Sequence, residues 1–294
     1  MPEIELSAGT IAYEDTGGDG PVVVFLHGVA MDETLWRHVV PGLRDHARCI
    51  VPTLPLGGHR KPMRPDADLS LRALVALVAE LLERLDLRDV TVVGNDWGGA
   101  QLLVSEGRAE RVARLVLCSC EAFDNYPPGL PGKSLALAGR APGGLYALLG
   151  PLRIRALRRL PLAFGWMSKR VPQETLDRWL RPALTQKAIR RDLRKYVTSD
   201  LDRATLLAWA ERQRAFTGPV LVVWAAEDRV MPREHGRRLA ELFPHGRLVE
   251  IADSYTLIPE DQPAALTAHL REFLADEHAV TPSNSQPCTL GRSP

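Results

Sequence analysis

The chain has 294 residues, 45% of them hydrophobic and 25% charged, the makeup of an ordinary globular protein with one large core domain and room for an insertion. Lys and Arg number 37 against 36 Asp and Glu, a formal charge of +1, so no overall field invites nucleic acid or an anionic membrane, and the expected partner is neutral or small. Cys49, Cys118, Cys120 and Cys288 show no CxxC spacing. They are expected to be free thiols in a reducing cytoplasm. No apolar run near the start reads as an export signal, and none reaches the roughly 18 residues of a spanning helix.

In chain order, residues 3 to 15 read as an antiparallel opening pair. "PVVVFLHG" (21–28) reads as a buried strand with its loop, and "RCIVPTLP" (48–55) as the next strand. Leu71, Leu74, Val75, Val78, Leu81, Leu82 and Leu85 recur at helical spacing and predict a helix over about 70–85. "DVTVVGNDWGGAQLLVSEG" (89–107) is a strand passing through a sharp glycine-flanked turn into a helix. "RLVLCSCEAF" (114–123) and "GPVLVVWAAEDRVMP" (218–232) are further strands. This alternation predicts an α/β class with a mostly parallel sheet. From about 124 to 210 the character changes to Pro/Gly clusters and arginine-rich segments such as "LRIRALRRL" and "AIRRDLRKYV", read as a helical insertion with solvated basic faces. Residues 276–294 are polar and Pro/Ser-rich, and a disordered tail is expected there.

In "GNDWGG", Asp96 stands where the strand ends and the helix begins, flanked by glycines that permit a tight turn. A carboxylate there either caps the helix or is held out as a nucleophile. "FLHG" (25–28) ends an earlier strand with a glycine that lets a backbone amide approach an oxyanion, and Asp228 closes a later strand. The order of these elements, followed by "DSYTLIPEDQP", resembles that of the α/β-hydrolase fold over about residues 3–275, most closely its aspartate-nucleophile branch of haloalkane dehalogenases and epoxide hydrolases.

The resemblance implies a core formed by residues 1–123 and 211–275 and a helical cap over 124–210 lining the substrate pocket. It assigns Asp96 as nucleophile, the backbone amides of Val29 and Trp97 as oxyanion or leaving-group donors, and Asp228 as the orienting acid. Glu121 is an alternative strand-end acid, and the Trp97 indole a donor to a leaving halide.

Three departures stand out. The family histidine is replaced by Thr256, next to Tyr255, and a hydroxyl has no useful basicity near neutral pH. Val29 stands where dehalogenases usually carry a halide-binding asparagine, which disfavours dehalogenation. "PTLPLGGHRKPM" differs from its counterpart and brings His59 to the active edge, as a relocated base or a plain loop residue. Tyr126, Tyr146 and Tyr196 in the insertion are candidate proton donors to an opening epoxide, or packing residues.

Three functions follow as expectations: an Asp96 enzyme for a small hydrophobic electrophile such as an epoxide; a cyclase, isomerase or lyase using Asp96 as acid or base; and an inactive ligand-binding relative. No cofactor is called for, and no cluster has metal-ligand spacing.

Overall fold

The computed structural model describes residues 1–97 and 99–276. The tail expected beyond Asp276, with His278 and Cys288, lies outside the described residues. The core is an eight-stranded sheet: β1 (Glu3–Leu6), β2 (Gly9–Asp15), β3 (Val22–Leu26), β4 (Arg48–Pro52), β5 (Val90–Asp96), β6 (Val112–Cys120), β7 (Val220–Ala225) and β8 (Gly246–Ile251). Their spatial order is β1-β2-β4-β3-β5-β6-β7-β8. The β1–β2 and β2–β4 pairs are antiparallel, and every pair from β4 onward is parallel. All seven residues of β5 and all six of β7 are buried, as expected for central strands covered on both faces. β8 is only partly buried and lacks a continuous apolar run, so its pattern is the weakest of the set.

The helices, in chain order, are α1 (Leu71–Arg84), α2 (Gly99–Ser105), α3 (Gly129–Arg140), α4 (Gly144–Leu149), α5 (Gln173–Thr185), α6 (Lys187–Val197), α7 (Arg203–Gln213), α8 (Arg233–Leu242), α9 (Ile258–Asp261) and α10 (Pro263–Ala275). α1 starts at Ser70, whose hydroxyl accepts from the Ala73 amide, and buries the leucine and valine stripe that predicted it. "LRIRALRRL" is not a long helix. It forms two 3₁₀ turns, Gly150–Arg153 and Arg155–Arg159, broken at Ile154, whose backbone is extended, and Pro161 follows the second.

Helices α3 to α7 lie between β6 and β7. α7 packs on α2, where the Ser105 hydroxyl donates to the Trp209 carbonyl at 2.9 Å, so α7 joins the layer beneath the sheet although it falls within the 124–210 span read as cap. The rest of the insertion is tied to the core by buried polar contacts. Arg178 of α5 pairs with Asp32 and Glu33. Asp192 of α6 accepts from the Met63 amide at 2.8 Å, and Asp261 of α9 accepts from the Ser168 hydroxyl at 2.7 Å.

A candidate active site at the carboxyl edge of the sheet

Parallel strands bring the loops after β3, β5, β6, β7 and β8 to one edge, where ligands bind in open α/β sheets. Asp96 ends β5 with φ of 65°, a left-handed conformation that thrusts its side chain out of the strand. One carboxylate oxygen, Oδ2, accepts from the Val29 amide at 3.0 Å. Gly28 makes this approach possible, since a Cβ there would overlap the Asp96 carboxylate. His27 holds the loop. Its Nε2 accepts from the Leu54 amide at 2.8 Å, so the other nitrogen, Nδ1, carries the proton and donates to the Gly28 carbonyl at 2.8 Å. Burial lowers the His27 pKa and keeps the ring neutral.

Burial is also the main influence on Asp96, raising its pKa from 3.8 to about 7; the Val29 hydrogen bond opposes the rise and the nearby Asp228 charge adds to it. Asp228 follows β7, and its Oδ1 accepts from the amides of Val230 (2.9 Å) and Met231 (2.8 Å) and from the Thr256 hydroxyl (2.8 Å). Asp228 Oδ2 is buried and takes no hydrogen bond of ordinary geometry among the described residues, and burial raises this group's pKa too. Thr256 is fully buried and its carbonyl accepts from the Asn95 amide group at 2.8 Å, locking the β8 loop to the elbow. The acid thus keeps its place while the group it meets is a hydroxyl.

Asp96 opens into a cavity of about 260 Å³ between core and insertion. The register pairs Asp96 with Cys120, which places Glu121 beside it, and the Glu121 amide donates to the Asp96 carbonyl at 3.0 Å. Glu121, Tyr126 and Tyr196 line the cavity with Asp96 and Val29. The Tyr196 hydroxyl lies 3.4 Å from both Glu121 carboxylate oxygens, and the Tyr126 hydroxyl 3.5 Å from the Tyr196 carbonyl, both loose contacts. Burial first, and then the Glu121 charge, raise the pKa of both tyrosines, so each phenol holds its proton. The remaining wall is apolar and comes largely from the insertion, including Leu148, Leu152, Leu160, Leu162, Phe164 and Met167.

Several residues singled out from sequence do not meet here. The Trp97 amide donates to the Asn95 carbonyl at 2.8 Å and not to Asp96, and the indole packs near Gly99 outside the cavity lining, its Nε1 buried with no hydrogen-bond partner among the described residues. Tyr255 lies between Lys169 and Arg229, its amide held by Asp261, and does not line the cavity. Tyr146 is exposed on α4 and stacks with Arg153 and Arg190. His59 is captured by Asp192 at 3.2 Å and is absent from the cavity wall, so it is not a relocated base; a buried carboxylate from α6 draws the ring away. Among the described residues no histidine lines the cavity. Among the described residues, no group of three or more His, Cys, Asp or Glu is arranged to hold a metal ion.

Gly28 is legible in "FLHG", whereas neither Asn95 nor the leucines of the insertion stand out from sequence. A glycine clash is invisible without coordinates, whereas the leucines left a faint signal in their recurrence among the arginines of residues 148–162.

Residues 21–263 match the sequence model of the alpha/beta hydrolase fold family. The chain belongs to that family, near its dehalogenase branch. A cis-3-alkyl-4-alkyloxetan-2-one decarboxylase of Xanthomonas campestris pv. campestris is 28% identical over 285 residues, covering 90% of this chain and 92% of the relative. Haloalkane dehalogenase 2 of Mycobacterium tuberculosis is 28% identical over 272 residues, with 90% and 92% coverage. Among solved structures, an ancestral haloalkane dehalogenase superposes with a TM-score of 0.74 at 22% identity, covering 94% of this chain and 98% of that one. At that identity the likeness concerns the fold. The family is one of enzymes, and this chain shares its fold.

Proposed function

We propose that this α/β-hydrolase uses Asp96 as a nucleophile on a small-ring, alkyl-substituted electrophile, and that its substrate class is a β-lactone which it converts to an alkene and carbon dioxide. The observation that carries the reading is a buried carboxylate facing an apolar cavity that no imidazole lines. In a hydrolytic cycle the alkyl ester on Asp96 must be cleaved by water, and a base is needed to activate that water. A β-lactone makes no such demand. Asp96 attacks the ring carbon bearing the ring oxygen, the carbon–oxygen bond breaks, and its electron pair leaves the substrate with a free carboxylate. The bond from that carboxylate to the neighbouring carbon then breaks. Its electrons form the carbon–carbon double bond and expel Asp96 as carboxylate, with carbon dioxide released. No water, proton, oxidant or reductant is consumed.

The full-length similarity to an alkyloxetanone decarboxylase supports this choice of ring. An apolar wall suits alkyl chains and disfavours a charged intermediate relative to neutral carbon dioxide. Glu121, a second buried carboxylate beside the site, would add like-charge repulsion to the same effect. A second reading is epoxide opening, favoured by the protonated Tyr196 in the cavity, in which Asp96 attacks carbon and the phenol protonates the alkoxide. Without a water-activating base that reaction stops at the ester.

The test is incubation with a cis-3,4-dialkyl-2-oxetanone in ¹⁸O-water, with gas chromatography of the products and peptide mass mapping of the protein. The proposal expects alkene and carbon dioxide in equal amounts from wild type and neither from Asp96→Asn. A β-hydroxy acid carrying ¹⁸O, or full activity in Asp96→Asn, sinks it. A stable epoxide adduct on Asp96 with no turnover of lactone would select the second reading.

A further inference from the structure

The overall charge of +1 conceals a local asymmetry: residues 125–173 contain eight Lys or Arg and no Asp or Glu. Four of the eight are compensated from elsewhere, Arg155 and Arg158 by Asp177, and Lys169 and Arg170 by Asp253, with Glu227 also on Lys169. Among the described residues no carboxylate pairs with the other four, Lys133, Arg140, Arg153 and Arg159. Large exposed hydrophobic residues concentrate in the same segment. Leu130, Leu137, Tyr146, Ile154, Leu160 and Leu162 are each at least 45% exposed, and among the described residues the remaining one of this kind is Met1. On α3 the exposed positions are Leu130, Lys133, Leu137 and Arg140, spaced so that they form one stripe of alternating leucine and cation, while Ala136 and Gly139 face inward. Leu160 and Leu162 are half exposed and also line the cavity, so the apolar surface continues into the chamber that holds Asp96.

Exposed leucines flanked by unpaired cations on a helix face are the features of a segment that lies at a bilayer interface. We propose that the outer face of the cap, α3 with the turns through residue 162, docks on a lipid surface bearing anionic headgroups and takes alkyl substrate from it through the mouth at Leu160 and Leu162. Charge decides the occupant. A second copy would bring the same positive face and repel, whereas anionic lipid neutralises Lys133 and Arg140, and also Arg153 and Arg159, which donate to the Leu184 and Val171 carbonyls but meet no carboxylate, while its acyl region receives Leu130, Leu137 and Ile154. No helix among the described residues is long and apolar enough to cross a membrane, so the contact is peripheral. Only the idea of what passes through the mouth rests on the reading of Asp96; the docking itself does not.

The experiment is co-sedimentation of the full chain, without substrate, with vesicles of phosphatidylcholine alone and of phosphatidylcholine mixed with phosphatidylglycerol, at low and high salt. Asp96→Asn protein is run in parallel and should bind like wild type, which separates this test from the chemistry. Binding is expected on the anionic vesicles alone and should fade with salt. The double variant Lys133→Glu, Arg140→Glu should lower the partition coefficient by about tenfold or more. Leu137→Ser with Ile154→Ser should lower it with charge unchanged, and since these side chains are exposed, matched thermal melts will verify folding. Equal binding to both vesicle types, binding undiminished in either double variant, or a concentration-dependent dimer abolished by Leu137→Ser would each overturn the proposal, as would retention on single-stranded DNA in preference to vesicles.

Discussion

Asp96→Asn should stabilise the protein, and should do so only above acidic pH. The folded protein holds the Asp96 carboxyl at a pKa of about 7 against an ordinary 3.8, chiefly because it is buried. Below about pH 4 the group is protonated in both folded and unfolded chains and carries no penalty. As pH rises from there to about 7, the unfolded chain releases this proton and the folded chain keeps it, so wild-type stability falls relative to the variant. Above 7 both forms are ionised and the difference is constant. A rise of about three in pKa, at about 1.4 kcal/mol each, sets a ceiling of about 4 kcal/mol. Asn tolerates the left-handed backbone at this position at least as well as Asp, so the swap adds no strain there. Urea denaturation of both proteins at intervals from pH 4 to 9 measures the difference directly, and the shared titrations of other groups cancel. A gap that stays flat across this range would refute the idea that Asp96 bears the desolvation cost.

The same pKa governs reactivity: the rate of adduct formation or lactone turnover should climb with pH and reach half its limit near 7, because only the ionised Asp96 attacks; stopped-flow or quenched mass measurements will read it. Gly28→Ala should slow that step about 100-fold, since the new methyl displaces the carboxylate from the Val29 amide, while far-ultraviolet circular dichroism remains native. Thr256→His places an imidazole against Asp228 and should speed release of any epoxide-derived ester by about 10²-fold or more, at a packing cost of about 1–3 kcal/mol because position 256 is fully buried; trapped-adduct lifetimes decide it. Tyr196→Phe should slow epoxide opening by about 10²-fold and leave lactone turnover within a few-fold, since a carboxylate leaving group needs no proton.

The class of fold was legible because its signals are local. Valine-rich runs such as residues 90–93 and the leucine stripe of residues 71–82 follow from what a doubly covered strand and a half-buried helix require. Asp96 was legible for the same reason: an elbow needs small neighbours beside it in the chain. That a threonine, Thr256, and not a histidine follows Tyr255 is plain from the chain itself.

What the sequence could not determine were the pairings between distant segments. His59 looked available as a base until Asp192, 133 positions away, was found to hold it. Trp97 looked like a donor until its amide turned back to Asn95. Tyr126, Tyr146 and Tyr196 were equivalent by sequence, yet two line the cavity and one is exposed, because which side of a segment in the insertion is buried depends on what packs against it. The chain alone determined the sheet and the tight turn at Asp96. Only the tertiary structure decided which polar groups share a dry cavity with Asp96, because burial and hydrogen-bond partners are properties of the packed whole.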